Sequence, residues 1–167
     1  MKWDYEFDVV VVGSGNGALT SAICSHDGGA KTLVIEKSNQ YGGTSATSGG
    51  GVWIPNNRYA KAENVDDSDQ DARDYINSVS PEGMIKDELI ETYISEGPKM
   101  IDYLHENSQV KYRNLSHYPD YFPDNPGGKE GNRSMEPEPI NGTILGTDLG
   151  KLREQHPQTA FTMGPIN

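Results

Sequence analysis

Apolar positions cluster at the start of the chain and thin out along it. Val9 to Val12 form a continuous β-branched run that Gly13 closes, within "DVVVVG" at 8–13. An unbroken run of that length predicts a strand buried on both faces, as in a parallel sheet. "NGALTSAICSHDGGA" follows with small, helix-compatible residues and predicts a helix ending near Gly28 and Gly29. "KTLVIEK", Lys31 to Lys37, predicts a second buried strand. Strand, helix and strand in this order form a βαβ unit with a right-handed crossover.

The pattern then changes. From Ser38 to Asn57 the chain is polar and glycine-rich. "DSDQDARDYINSV" predicts an amphipathic helix opened by acidic and serine capping residues. "GMIKDELIETYISEGPKMIDYLHEN" predicts a second, with Ile85, Leu89, Tyr93, Ile101 and Leu104 as its core stripe and Pro98 kinking or dividing it. "VKYRNL", Val110 to Leu115, alternates like an edge strand. His117 to Ile140 is rich in proline and glycine and reads as a long irregular segment, functional or disordered. A short helix is expected near Leu149–Glu154. The expected organisation is residues 1–60 as a βαβ core with the second glycine-rich segment, 61–109 as a helical segment and 110–167 as a loop-rich segment.

Composition changes this picture in three ways. Apolar residues make up 34% of the 167 and mean hydropathy is −0.71, so the second half has little material for a core. The net charge of −11 and the lack of a basic run argue against nucleic acid and against an anionic membrane surface. No stretch suits a signal peptide or a spanning helix, so a cytoplasmic location is expected. A single cysteine, Cys24, rules out a disulfide framework within the chain and reads as a small buried apolar residue. His26, His105, His117 and His156 show no metal-ligand spacing, and no metal is expected. Asp66-Asp67 and Glu136/Glu138 read as solvated acidic faces.

The candidate chemistry lies in the first turn. Gly13-Ser14-Gly15-Asn16-Gly17-Ala18 fits G-x-G-x-x-G/A, with Ala18 in the third place. Gly13 permits the tight turn, Gly15 lets the backbone approach a pyrophosphate, and Ala18 allows close helix–strand packing. The helix N-terminus offers free N–H groups and a positive dipole end. Glu36, 18 residues after Ala18 at the end of the second strand, can accept both hydroxyls of a ribose. These features specify a dinucleotide and leave NAD and FAD open.

The next segment, "EKSNQYGGTSATSGGGVWIPNN", resembles the second glycine-rich stretch of the fumarate reductase and 3-ketosteroid dehydrogenase flavoprotein superfamily. That resemblance implies FAD as cofactor. Lys37, Thr44, Ser45 and Ser48 then join the binding set, with Gly43, Gly49 and Gly50 where backbone must come close to a bulky ligand. "YGGTSATSGGGVWIPNN", "YPDYFPDNPGG" with "GNRSMEP", and the tail "LGKLREQHP" are similar to segments of the 3-ketosteroid Δ1-dehydrogenases. The resemblance covers nearly the whole chain, as the N-terminal portion of that family. The fold it implies is α/β, a Rossmann-like FAD-binding βαβ unit with a helical and loop-rich extension, incomplete relative to the family.

The activity it implies is 1,2-desaturation of a 3-oxosteroid, with a proton passing from C2 to a tyrosine base, hydride from C1 to flavin N5, and an external electron acceptor. Tyr121 matches a tyrosine lining the family's active site and supporting the base, so it is the candidate catalytic residue. Tyr118 matches an aromatic that contacts the steroid. Trp53 reads as packing beneath the cofactor segment. The family's base tyrosine, most of its steroid-binding domain and its C-terminal flavin segment correspond to nothing up to Asn167. The resemblance therefore implies a need for a C-terminal portion or a partner chain. The alternatives are a fumarate-reductase-like flavoprotein with another substrate and a non-catalytic truncated fragment.

Overall fold

The computed structural model describes residues 3–155. His156, and the part of the 110–167 segment after Gln155, lie outside the described residues. Two compact units are present. Residues 3–50 with 141–155 form one, and residues 51–140 form the other.

The first unit is built on the βαβ element. Strand β1 (Val9–Val12) and strand β2 (Thr32–Ile35) run parallel, with Val9 opposite Thr32 and Val12 opposite Ile35. Helix α1 (Asn16–Asp27) connects them and packs against both strands. It ends where the glycine pair predicts, with the Gly28 amide donating to the Cys24 carbonyl. The strands are not buried on both faces as their apolar run predicts. Val12 is 78% exposed and Val10 52%, because α1 covers only one face of a two-stranded sheet. Cys24 is exposed too, on a helix in which no residue is buried. After residue 140 two short 3-10 turns occupy Gly142–Lys151, broken at Gly146, earlier in the chain than the expected helix. Leu152 then bridges Tyr41 in parallel register.

The second unit holds the larger core. Strand β3 (Val52–Trp53), strand β4 (Tyr112–Asn114) and strand β5 (Ser134–Pro137) make an antiparallel sheet in the order β3-β5-β4. The expected edge strand at Val110–Leu115 is thus present in shortened form. Helix α2 (Arg58–Ala62) starts at Asn57, whose buried side chain accepts from the amides of Tyr59 and Ala60 and donates to the carbonyls of Ile54 and Asn132. Helix α3 (Asp69–Val79) is capped by Ser68, which accepts from the Asp71 amide.

Helix α4 (Asp87–Asn107) runs on through Pro98 without dividing. Its core face differs from the predicted stripe. Ile90, Ile94, Ile101 and Leu104 are buried, while Leu89 is 61% exposed and Tyr93 42%. Two apolar stripes lie side by side on this helix, and the one carrying Ile90 and Ile94 meets α3 at Ala72 and Ile76. Ile101 packs with Ile54 and Met135 in a second cluster that joins helix to sheet.

The proline-rich segment 117–140 is neither strandless nor loosely attached. It contains β5 and buries Asp120, Arg133, Met135 and Glu136. Two acids expected on solvated faces, Glu136 in this segment and Asp67 outside it, have their carboxylates inside. Glu136 is 2% exposed and accepts from Arg113, and Asp67 is 4% exposed and pairs with Arg133. A guanidinium beside each carboxylate makes its burial tolerable.

Candidate functional site

In the first unit, a cleft of about 670 Å³ opens at the carboxyl ends of β1 and β2. The two strands deliver their ends to it, and the turn after β1 forms its floor. Gly13 takes φ +99°, a region that a side chain disfavours, and its amide donates to the Ile35 carbonyl at 2.7 Å. Gly15 stands at the N-cap of α1 and has no side chain to cap it. Asn16, Gly17 and Ala18 make the first turn of that helix. Gly13, Ser14, Gly15, Glu36, Lys37, Gly43 and Thr44 all line the cleft.

Ser14 joins three parts of this site. Its hydroxyl donates to Glu36 Oε2 at 2.5 Å and accepts from the Gly42 amide at 2.9 Å. It is 3% exposed, so it sets the positions of its neighbours more than it offers a free hydroxyl to the cleft. Glu36 Oε1 accepts from the Ser38 amide at 3.0 Å. These bonds, Ser14 first, hold the Glu36 carboxyl below its ordinary pKa, so it carries a full charge at neutral pH.

The second glycine segment closes against the first. Gly42 has φ +105°, and a Cβ there would stand 2.6 Å from Ala46 Cβ. Ser45, in a 3-10 turn at Ser45–Thr47, accepts from the Asn16 amide at 3.0 Å. Ser48 donates to the Ser45 carbonyl and accepts from the Gly50 amide, which shapes the Ser48-Gly49-Gly50 corner. Thr44, and not Ser45 or Ser48, lines the cleft. Sequence reasoning missed Val12, Ser38, Gln40 and Arg153 among the lining residues. Arg153 is held by its amide to the Tyr41 carbonyl at 2.9 Å and brings a cation to the cleft. Its only signal was its place in the tail segment "LGKLREQHP".

The set fits a flavin dinucleotide. A glycine turn and a helix N-terminus whose N-cap residue is a glycine suit a pyrophosphate, an ionised carboxylate at the end of β2 suits a ribose, and Arg153 complements the phosphate charge.

The second unit carries a separate apolar pocket of about 350 Å³. Trp53, Tyr75, Ile76, Val79, Tyr118, Tyr121 and Phe122 supply most of its wall. Tyr118 and Tyr121, the two substrate-site candidates, thus share one pocket. Tyr118 is half-buried and Tyr121 is 84% exposed. Trp53 is packed inside its own unit, stacked on Tyr93 at 6.2 Å and tilted against Tyr75 at 5.9 Å. Its indole N–H donates to Asp120 Oδ1 at 2.6 Å, and the Tyr93 hydroxyl donates to its carbonyl.

Architecture and cleft together define an α/β module for a dinucleotide cofactor, and comparison with known proteins says which. The FAD binding domain family matches residues 8–165. The 3-oxosteroid 1-dehydrogenase of Mycobacterium tuberculosis H37Rv is 40% identical over 162 residues, 97% of this chain and 28% of its own length. The 4-oxocyclohexanecarboxylate 2-dehydrogenase of Sinomonas cyclohexanicum is 38% identical over 157 residues, 94% of this chain and 27% of that one. A solved structure of 3-ketosteroid Δ1-dehydrogenase from Sterolibacterium denitrificans, in complex with 1,4-androstadiene-3,17-dione, superposes with a TM-score of 0.86 at 40% identity. It is matched over 92% of this chain and 27% of its own. The chain belongs to the FAD binding domain family, and its cofactor is FAD. It spans less than a third of the length of these relatives. Among the described residues no helix is long and apolar enough to cross a membrane.

Proposed function

We propose that this chain is the N-terminal FAD-binding part of a cytoplasmic oxidoreductase that introduces a 1,2 double bond into 3-oxosteroids. The observation that carries the reading is the wall shared by Tyr118 and Tyr121 in an apolar pocket of about 350 Å³, on a chain 40% identical to 3-oxosteroid 1-dehydrogenases. A pocket walled by aromatic rings suits a rigid, flat apolar ring system. Bound FAD supplies a two-electron acceptor.

The chain's own residues have three tasks in this reading. Gly13, Gly15 and the N-terminus of α1 hold the pyrophosphate, with Arg153 beside it. Glu36 holds the adenosine ribose. Tyr118 lies against the steroid rings, and the Tyr121 hydroxyl supports the tyrosine base at C2. That base, the remaining substrate contacts and the reoxidising acceptor come from outside these residues.

The test is reconstitution with the remaining portion of the protein, an artificial electron acceptor and a 3-oxosteroid. Production of the 1,2-dehydro steroid is expected. In the reconstituted enzyme Tyr121→Phe is expected to lower kcat far more than it changes flavin content, because a hydroxyl near the base acts on the chemistry. Oxidation of 4-oxocyclohexanecarboxylate but of no steroid would reassign the substrate to a smaller cyclic ketone.

A further inference from the structure

Arg133 is buried to 1% exposure, in a segment whose composition predicts no core. A guanidinium withdrawn from water requires partners. It has two carboxylates. Its Nε and Nη2 donate to Asp67, the latter at 2.7 Å, and its Nη1 donates to Asp120 Oδ2 at 2.9 Å. Its Cζ lies over the rings of Trp53 and Tyr75, at 5.5 and 5.7 Å from their centroids. The surplus negative charge is met by further donors. The Asn56 and Ser68 amides donate to Asp67, and Trp53 Nε1 and the Lys129 amide donate to Asp120.

The consequence lies in what these partners do. Trp53, Tyr75 and Asp120 all line the apolar pocket, whereas Arg133 stands behind them. Asp120 lies in the chain between Tyr118 and Tyr121 and is pinned from two directions. Its carboxylate is held by Arg133 and Trp53, and its amide donates to the Lys129 carbonyl at 2.9 Å. A buried ion pair is weak evidence for stability, and its better-attested use is to fix one arrangement among several.

We propose that Arg133 is a positioning residue for the substrate pocket: through Asp120 and Trp53 it fixes the 118–121 segment, and with it Tyr118 and Tyr121. The fork geometry is essential, because one planar cation must reach two carboxylates while lying over two rings, which an ammonium cannot reproduce. The proposal rests on the steroid reading for its ligand and not for its geometry.

The test uses the 167-residue chain reconstituted with the remaining portion of the protein and with FAD, and compares Arg133→Lys with the unaltered protein. Amide hydrogen exchange at Asp120 and Lys129 reports the segment, and exchange at Leu104 in α4 reports the fold. Quenching of tryptophan fluorescence by 1,4-androstadiene-3,17-dione reports the pocket. Arg133→Lys is expected to speed exchange at Asp120 and Lys129 about tenfold or more and to weaken dione binding about tenfold, the effect of losing one charged hydrogen bond. Leu104 exchange and FAD affinity are expected to stay unchanged, which a purely structural role would not allow. Unaltered exchange at Asp120 and Lys129, or equal acceleration at Leu104, overturns the proposal. If Arg133→Lys does not fold, Asp67→Asn keeps the Arg133–Asp120 bond and is expected to give a smaller loss at the same two amides; no change there also overturns it. Failure of the unaltered reconstituted protein to bind the dione refutes the steroid reading instead, and the exchange comparison alone then decides the role of Arg133.

Discussion

The hydroxyl of Ser14 donates to the carboxylate of Glu36 across 22 positions of sequence, at 2.5 Å, while accepting from the Gly42 amide. One small side chain thus joins the turn after β1, the end of β2 and the start of the second glycine segment. These three pieces of the cleft are bonded to one another.

Glu36→Ala is expected to weaken FAD binding. A hydrogen bond to a charged group contributes about 1.5–3 kcal/mol, so affinity is expected to fall roughly ten- to a hundredfold. Titration of FAD fluorescence quenching measures it. Affinity equal to that of the unaltered protein would remove Glu36 from the ribose site.

Gly42→Ala is expected to cost stability and flavin together. The new Cβ would lie 2.6 Å from Ala46 Cβ at φ +105°. A non-glycine residue in a sparsely populated backbone region costs of the order of 1–3 kcal/mol before any clash is counted. Thermal melts with and without FAD separate the two losses. A substitution without effect on either would mean that the segment adjusts freely.

The second unit is expected to weaken in acid through His105. The Tyr59 hydroxyl accepts from the Tyr112 amide at 2.9 Å and shares a hydrogen bond of 2.8 Å with His105 Nδ1, whose direction the imidazole tautomer sets. Burial, then the nearby charges of Arg58 and Lys111, hold the His105 pKa below its ordinary 6.5. The neutral form is therefore favoured by folding. Its stabilisation is complete above the unfolded value and is lost as pH falls through the lowered one. Denaturant melts from pH 7.5 downward are expected to show a loss of stability that His105→Gln reduces. An identical slope in the variant would place the acid sensitivity elsewhere.

Much of the first unit is legible in sequence because its signals are local. A four-valine run, a glycine turn and an acid at the end of the next apolar run need no distant partner to be read. The second unit is legible only in part. Strand β3 has two residues and β5 has four, and both exist through pairing with segments far away in the chain. Helix α4 carries two adjacent apolar stripes, and only the position of α3 selects Ile90 and Ile94 over Leu89 and Tyr93. Arg133 and Asp67 carry no apolar signature, and their burial follows from mutual pairing 66 positions apart. Tyr118 and Tyr121 were marked by resemblance, while the ion pairs behind them were not.

Titration of the 167-residue chain, reconstituted with the remaining portion of the protein, with FAD and separately with NADH tests the central claim most directly. The account predicts saturable one-to-one FAD binding with the shifted absorption of a protein-bound flavin, reduced by Glu36→Ala, and no response to NADH. Saturable NADH binding with no affinity for FAD would contradict it.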